Sequence, residues 1–289
     1  MTEQMKAIES AIRAKIANGN MKLSTVKAIE NALAKNALAD SLIESINSPE
    51  TSEQDKHVLR VSLLALLTIR MHESGKIEGV SSIDSHAISN PFCECMRKNA
   101  ELVPDLVCGG CYACMAKELW KHTAQLAHLR NNLILSSVLF TDEELALISI
   151  PCDVMRPFCR INEDGDIANL THALNILGIA RTHNMIRFAV WHKNRKALYT
   201  ALDMVGKPEN VEVVFSVPIV SQSIDRIKAV TGRYDDKVFA VFRTEDEVSA
   251  AIAAGFVKCN GVKCMDCGFH CYRKQGEKVT YIAELLRTH

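Results

Sequence analysis

The feature that most constrains the fold is a regular alternation of apolar and helical runs after Met155. The apolar runs have the length and composition of buried strands: Met155–Ile161, Met185–His192, Val211–Val217, Lys237–Phe242 and Gly255–Cys259. Helical patterns such as Asn169–His183 and Thr244–Ala254 lie between them. Such alternation predicts βα units with right-handed crossovers. We therefore expect an α/β fold, either a partial (β/α) barrel or an open parallel sheet.

Polar residues follow the predicted strands, at the edge where α/β proteins place their chemistry. Gly165 and Asp166 follow the first strand, His192 and Lys193 end the second, and Ser216 lies at the end of the third. We predict one shared pocket with Asp166, His192 and Lys193 as catalytic candidates and Ser216 as a cofactor contact. The alternative is that Asp166 only caps the next helix, as polar loop residues commonly do.

The first quarter of the chain has a different pattern and contains no cysteine. Isoleucine recurs every four residues at Ile8, Ile12 and Ile16, and a second apolar stripe begins after Ser24, a potential helix cap. Val58–Met71 reads as a buried third helix. We predict an all-α region over residues 1–85, acting in packing or assembly, before a cysteine-rich α/β domain over residues 86–289.

Composition limits the partners and the compartment. Lysine plus arginine equals aspartate plus glutamate at 34 each, so bulk charge does not attract nucleic acid or an anionic membrane. Charged residues interrupt the N-terminus, and the apolar Val58–Met71 is too short to span a bilayer, so we expect no signal peptide, no membrane segment and a cytoplasmic location. In that reducing compartment, 11 cysteines favour metal or redox chemistry over disulfides.

The C-terminal cysteines form the stronger metal signal. Four thiols fall within thirteen residues, at Cys259, Cys264, Cys267 and Cys271. Two-residue gaps let a loop place two thiolates on one ion, and four thiolates complete a zinc site or hold an iron–sulfur cluster. The alternative is a set of free, buried thiols.

A second set lies in mid-chain, at Cys108, Cys111 and Cys114, with Cys93 fifteen residues upstream. Glycines follow Cys108, and the set leads into a predicted helix over Met115–Asn131, whose N-terminal dipole would lower thiol pKa values. Three thiolates leave one metal position open for a small molecule. Two alternatives remain: Cys93 or Cys95 closes the site as a structural ligand, or Cys108 and Cys111 exchange disulfides.

Taken in order, these segments resemble the phage- and plasmid-associated family called gene product eighty-eight. The resemblance spans about residues 88 to 273. It rests on Asn90–Cys93, Cys108–Ala113, Phe158–Ile161 with Gly165-Asp166, Phe188–Asn194, and the C-terminal cysteines with Cys271-Tyr272. Membership of this family would identify relatives of the chain, but it would not indicate a reaction.

The same pattern is distantly similar to radical S-adenosylmethionine enzymes, although CxxCxxC replaces their usual CxxxCxxC. That similarity implies a four-iron cluster on three of the mid-chain cysteines, with Gly165 and Asp166 meeting the amino group of S-adenosylmethionine. We therefore expect an iron–sulfur protein, and a radical enzyme acting on a nucleic acid, peptide or metabolite. The alternative is a non-catalytic zinc protein that binds a host protein or nucleic acid.

Overall fold

A computed structural model of the chain describes residues 10–14, 16–17, 21–111, 113–114, 122–259, 261–268, 270–273 and 278–286. Residues 10–14 and 16–17 are helical. The longer helices are α1 (Leu23–Asn47), α2 (Glu53–Leu64), α3 (Pro91–Asn99), α4 (His122–Ser137), α5 (Asp142–Leu145), α6 (Leu170–Thr182), α7 (Arg195–Val205), α8 (Ile224–Ala229) and α9 (Glu245–Ala253). Short 3-10 helices cover Val107–Gly110 and Cys264–Asp266.

Among the described residues, eight strands form one sheet: β1 (Arg70–Met71), β2 (Ser81–Ile83), β3 (Phe158–Ile161), β4 (Arg187–His192), β5 (Val211–Ser216), β6 (Lys237–Phe242), β7 (Val257–Lys258) and β8 (Thr280–Leu285). Their order is β1-β2-β3-β4-β5-β6-β8-β7. Strand β1 is antiparallel to β2, and all other pairs are parallel. The predicted parallel α/β sheet is confirmed.

Chain order and sheet order coincide from β2 to β6. Right-handed crossovers between such neighbours place their helices on one face of the sheet. On that face, Cys159, Val190 and Val213 lie in the larger core with residues of α6 and α7. On the opposite face, Phe158, Ala189, Val214 and other strand residues pack against Tyr272 and the partly buried Cys264 and Cys271. The C-terminal cysteine segment therefore covers the face away from these helices.

The same segment connects the two ends of the strand order. The Cys264 backbone N–H donates to the Lys76 carbonyl, just before β2, at 2.6 Å. The Lys76 ammonium binds Glu284 on β8 at 2.5 Å. In a flat sheet, the five steps from β2 to β8 would span about 24 Å. The loop before β2 therefore contacts both the C-terminal cysteine segment and β8. These contacts bring together strands that are five steps apart in the sheet order.

The predicted N-terminal helices are partly confirmed. Helix α1 matches the second apolar stripe, but Lys22 rather than Ser24 is its N-cap. The predicted helix over Val58–Met71 is wrong at its end, because α2 stops at Leu64 and Arg70–Met71 pairs with Ser81–Ser82. Part of the first predicted helix and residues 115–121 of the Met115–Asn131 helix lie outside the described residues, and α4 accounts for the remainder of the latter.

Strands β1, β2 and β8 had no strand prediction. Ser81 and Ser82 look like loop residues, but both are buried with their hydroxyls bonded, Ser81 to the Pro151 carbonyl and Ser82 to Asp84. Hydrogen bonding removes the cost of burying such groups, so a polar strand can lie inside a sheet. Across the described ranges, no helix is both long enough and apolar enough to cross a membrane.

Candidate functional site

Four mid-chain cysteines face one small cavity. It has a volume of about 50 Å³. The lining residues that carry polar or sulfur chemistry are Cys93, Cys108, Cys111, Cys114, Asp166, Lys193 and Arg97. Asp166 and Lys193 follow the carboxyl ends of β3 and β4, where the sequence predicted a pocket. We call this space the cysteine cavity.

Local structure brings the cysteines there from separate elements. Asn90 caps α3, accepting from the Cys93 backbone N–H at 3.2 Å. Its amide Nδ2 donates to the Asp166 carbonyl at 2.6 Å, which fastens α3 to the loop after β3. Cys108 lies in the 3-10 helix Val107–Gly110, which begins with a 2.8 Å bond from the Val107 N–H to the Pro218 carbonyl after β5. The thiols are therefore held by the ends of several strands.

The thiols of the cavity differ in acidity. The side chain of Cys114 donates a hydrogen bond to Cys111, and with the N–H groups of Cys114 and Ala113 it lowers the pKa of Cys111 to about 6. Burial raises the pKa of Cys108, and raises the pKa of Cys93 well above its ordinary value. Cys111 is therefore the most readily ionised of these three thiols, and metal ligation by Cys108 and Cys93 would release protons.

Lys193 supplies the positive charge of the cavity. Burial opposes its protonation, but Asp166 and the thiols of Cys108, Cys93 and Cys111 together raise the Lys193 pKa. Its ammonium in turn favours the thiolate form of the same three cysteines. The side chain therefore lies where it balances negative charge on sulfur.

Asp166 and Gly165 hold two loops together. The Asp166 carboxylate accepts from the backbone N–H of Ile167 at 2.7 Å and of Lys193 at 2.9 Å. Burial raises the Asp166 pKa. Gly165 has φ +79°, and a Cβ there would lie 2.1 Å from Ser85 Oγ. Close packing on Ser85 therefore accounts for the glycine, and backbone contacts occupy the carboxylate that the resemblance assigns to a cofactor.

His192 and Ser216 are not among the residues that line the cysteine cavity. His192 is buried on the helix side, with its ring between Tyr199 and Phe215 and its Nε2 3.5 Å from Asp235 Oδ1. Successive strand residues point to opposite faces, which separates His192 from its neighbour Trp191. Of the four residues predicted to share a pocket, the structure brings Asp166 and Lys193 together.

The C-terminal cysteines lie near two cations, Arg160 and Lys76. The thiols of Cys259 and Cys267 are close enough to affect the pKa values of both Cys264 and Cys271. Burial raises the pKa of Cys264 to about 11 and raises that of Cys271, while Arg160 lowers both. Lys76 lies beside Cys259 and Cys264. The four thiols therefore share one partly buried region between the ends of the strand order.

The distances between the cysteine sulfurs can be compared with those around a zinc ion and around an iron–sulfur cluster. A zinc–sulfur bond of about 2.3 Å places the sulfurs of a tetrahedral site about 3.8 Å apart. In the described residues, His72, Asp84 and Glu163 make the one group of three metal-type side chains whose ligand atoms all lie within 4.8 Å of one another. Among the described residues no three cysteine sulfurs all lie within 4.8 Å of one another, so their side chains would have to move to bind one zinc ion. Sulfurs bonded to different irons of a cluster are also widely separated.

Sequence reasoning missed Lys76, Arg160 and the group formed by His72, Asp84 and Glu163. Asp84 follows β2, and β2 was not predicted, so its place at the polar edge of the sheet gave no signal. Lys76 and Arg160 are far from the C-terminal cysteines in sequence. They come close to them because the C-terminal segment packs on the sheet and on the loop before β2.

Comparison with known proteins identifies a family. The family model described as gene product 88 matches residues 88–284, which is more than half of the chain. No curated protein and no solved structure matches significantly. The match includes both cysteine sets, the cysteine cavity and strands β3 to β7. The chain belongs to the gene product 88 family.

Proposed function

We propose that this protein binds an iron–sulfur cluster in the cysteine cavity, with Cys93, Cys108, Cys111 and Cys114 as its candidate ligands. The observation that carries the proposal is the convergence of four thiols on one small cavity at the carboxyl edge of a parallel sheet. Cysteine thiolates are the usual ligands of iron–sulfur clusters.

Spacing and charge support a cluster over a single zinc ion. No three of these sulfurs, all in described residues, fall within 4.8 Å of one another, so a zinc site would require them to move closer. A cluster with thiolate ligands is anionic, and Lys193 lies beside three of the four sulfurs. Lys193 is therefore assigned to charge balance.

The C-terminal cysteines are proposed to hold a second, closed metal site. Four thiols in one region are enough to saturate a metal centre without an open position. Backbone bonds from this segment reach both the loop before β2 and strand β8, so metal there would fasten the ends of the sheet. Its role would be structural.

A finer proposal concerns S-adenosylmethionine. Strands β2, β3, β4, β5, β6 and β8 are parallel neighbours in chain order, which is the order of a partial (β/α) barrel. The cysteine loop follows the first of them and Gly165-Asp166 follows the second. This arrangement supports the similarity to radical S-adenosylmethionine enzymes as an analogy of architecture. Only a cluster held by three of the four candidate cysteines would keep an iron open for that cofactor, and such a cluster would supply an electron to it.

The size of the cavity restricts this finer proposal. Its volume is about 50 Å³. Cofactor pockets usually measure about 300–1,000 Å³. S-adenosylmethionine would therefore extend from the cavity over the adjoining edge of the sheet, beyond the residues that hold the cluster.

Anaerobic reconstitution tests both levels. The full-length protein is incubated with iron and sulfide, and bound iron and sulfide are measured for the wild type and for Cys93→Ser, Cys108→Ser, Cys111→Ser and Cys114→Ser. We expect at least three of these four variants to lose iron, with Cys95→Ser, an exposed thiol nearby, as the matched control. Equal iron in all five variants would refute the ligand set.

The cofactor is tested on the same reconstituted protein. After reduction, S-adenosylmethionine is titrated and 5'-deoxyadenosine is measured. Binding and cleavage would support radical chemistry. A full cluster with neither outcome would refute the finer proposal and leave the cluster assignment intact, and zinc in place of iron would favour the non-catalytic alternative.

A further inference from the structure

We infer that the chain has a divalent-cation site made of nitrogen and oxygen ligands, next to the cysteine cavity and separate from both cysteine sets. Its proposed ligands are His72 Nε2, a carboxylate oxygen of Asp84 and a carboxylate oxygen of Glu163. The three ligand atoms lie within 4.8 Å of one another. We call it the histidine–carboxylate site.

Three separate elements create this arrangement. A backbone pair between the His72 N–H and the Val80 carbonyl, 3.0 Å, continues the β1–β2 ladder and fixes His72 at the sheet edge. Asp84 follows β2, and Glu163 follows β3. Because β2 and β3 are parallel neighbours, the residues after them meet at the same edge.

Hydrogen bonds orient the proposed ligands. Asp84 Oδ1 accepts the Glu163 backbone N–H at 2.7 Å and the Asp164 N–H at 3.3 Å, which fixes the carboxylate beneath the loop. The Ser82 hydroxyl donates to Asp84 Oδ2 at 2.6 Å and lies 2.9 Å from His72 Nε2. His72 Nε2 is also 3.2 Å from Glu163 Oε2. The bonds to Asp84 are of the supporting kind that orients a carboxylate ligand, whereas the contacts of Ser82 and Glu163 with His72 Nε2 lie on the ligand atom itself and a bound cation would replace them.

Burial and charge distinguish this group from a solvated acidic patch. His72 and Asp84 are both less than 10% exposed, at 7% and 5%. Asp164 adds a third carboxylate, whose Oδ2 is 3.2 Å from His128 Nδ1, and His128 Nε2 is 3.8 Å from Asp84 Oδ2. His128 Nδ1 is buried, and its contact with Asp164 lacks hydrogen-bond geometry. Two imidazoles therefore meet three carboxylates, of which Glu163 is the most exposed, at 32% of its side chain.

The ligand chemistry indicates the class of metal. Imidazole with carboxylate suits Mn²⁺, Fe²⁺ or Zn²⁺, and the absence of sulfur from the group disfavours Cu⁺. Glu163 lies on the loop that also carries Gly165 and Asp166. A cation here would fix the loop that forms one wall of the cysteine cavity.

Manganese is the suitable probe because thiolates prefer softer metals. The full-length chain, freed of metal by chelation, is titrated with Mn²⁺ while the electron paramagnetic resonance signal of free Mn²⁺ is followed. We expect one saturable Mn²⁺ per chain. Glu163→Gln and His72→Gln should each weaken binding by about tenfold or more, since loss of supporting groups alone costs 10–100-fold. Glu143→Gln, at an exposed carboxylate on α5, should bind as the wild type does.

Two further results separate this site from the iron–sulfur proposal. Cys108→Ser/Cys111→Ser should retain the Mn²⁺ affinity of the wild type, whatever happens to iron. The absence of saturable Mn²⁺ binding, or an unchanged affinity in Glu163→Gln with intact circular dichroism, would overturn the histidine–carboxylate site.

Discussion

Replacing Gly165 by alanine should disrupt the loop between the cysteine cavity and the histidine–carboxylate site. At φ +79°, a Cβ would lie 2.1 Å from Ser85 Oγ and 2.5 Å from the Ser85 carbonyl oxygen. The left-handed backbone costs a non-glycine residue about 1–2 kcal/mol. Overpacking adds about 1–3 kcal/mol. We therefore expect Gly165→Ala to lower the free energy of unfolding by about 2–5 kcal/mol.

Gly75→Ala is the matched control, because Gly75 has φ +84° and its added Cβ would meet nothing within 4 Å. It should show only the backbone cost, about 1–2 kcal/mol. Both variants are compared with the wild type by urea denaturation. Because Ser85 Oγ also donates to the Asp166 carbonyl at 2.9 Å, Gly165→Ala should lose iron on reconstitution as well.

A double variant checks the stated cause. Ser85→Ala/Gly165→Ala removes the hydroxyl clash but retains the carbonyl at 2.5 Å. Because Ser85→Ala alone loses the bonds of Ser85 Oγ to Asp166, the double variant is compared with that single variant, and it should be destabilised relative to it by less than Gly165→Ala is relative to the wild type. If Gly165→Ala matched Gly75→Ala within about 0.5 kcal/mol, the close packing of this loop on Ser85 would be refuted.

Three other substitutions test the electrostatics and the core. Lys193→Met should lose iron to a chelator faster than the wild type, because a cation beside three sulfurs is removed, whereas Lys196→Met at an exposed position should not. Burial lowers the His172 pKa to about 4, so the unfolded chain binds the proton first and stability falls as pH drops from about 6.5 to 4. The free energy of unfolding is measured by urea denaturation at pH 7 and at pH 4.5. The decrease between the two pH values should be about 2–3 kcal/mol smaller in His172→Gln than in the wild type, and an equal decrease would contradict the assignment. Asn175→Leu leaves the Leu135 and Val138 carbonyls and the Phe140 N–H without their partner and should destabilise the chain by roughly 3 kcal/mol in the same assay.

The parallel sheet was predictable because its central strands are apolar, bounded and separated by helical patterns. Strands β4, β5 and β6 nearly coincide with their predicted ranges. The short β2 was not predictable, because its two serines become strand residues only through partners distant in sequence. Local pattern carries no information on such long-range pairing.

The candidate site shows the same division. Cysteine spacing indicated Cys108, Cys111 and Cys114 as one set, and strand-end position predicted that Asp166 and Lys193 share a pocket; that this pocket also contains the cysteines comes from the structure. The side on which His192 lies depends on strand register, which the sequence leaves ambiguous by one residue. The histidine–carboxylate site depends on β1 and β2, so it could not be predicted once those strands had been missed.

The most direct test of the central proposal is the metal content of full-length protein purified anaerobically without reconstitution. Iron, zinc and acid-labile sulfide are measured together on the wild type and on Cys108→Ser/Cys111→Ser/Cys114→Ser. We predict iron and sulfide in similar amounts in the wild type, and loss of the cavity's share in the variant, with any C-terminal metal retained. Zinc without sulfide in the wild type, at a level that the triple variant reduces, would contradict the iron–sulfur assignment.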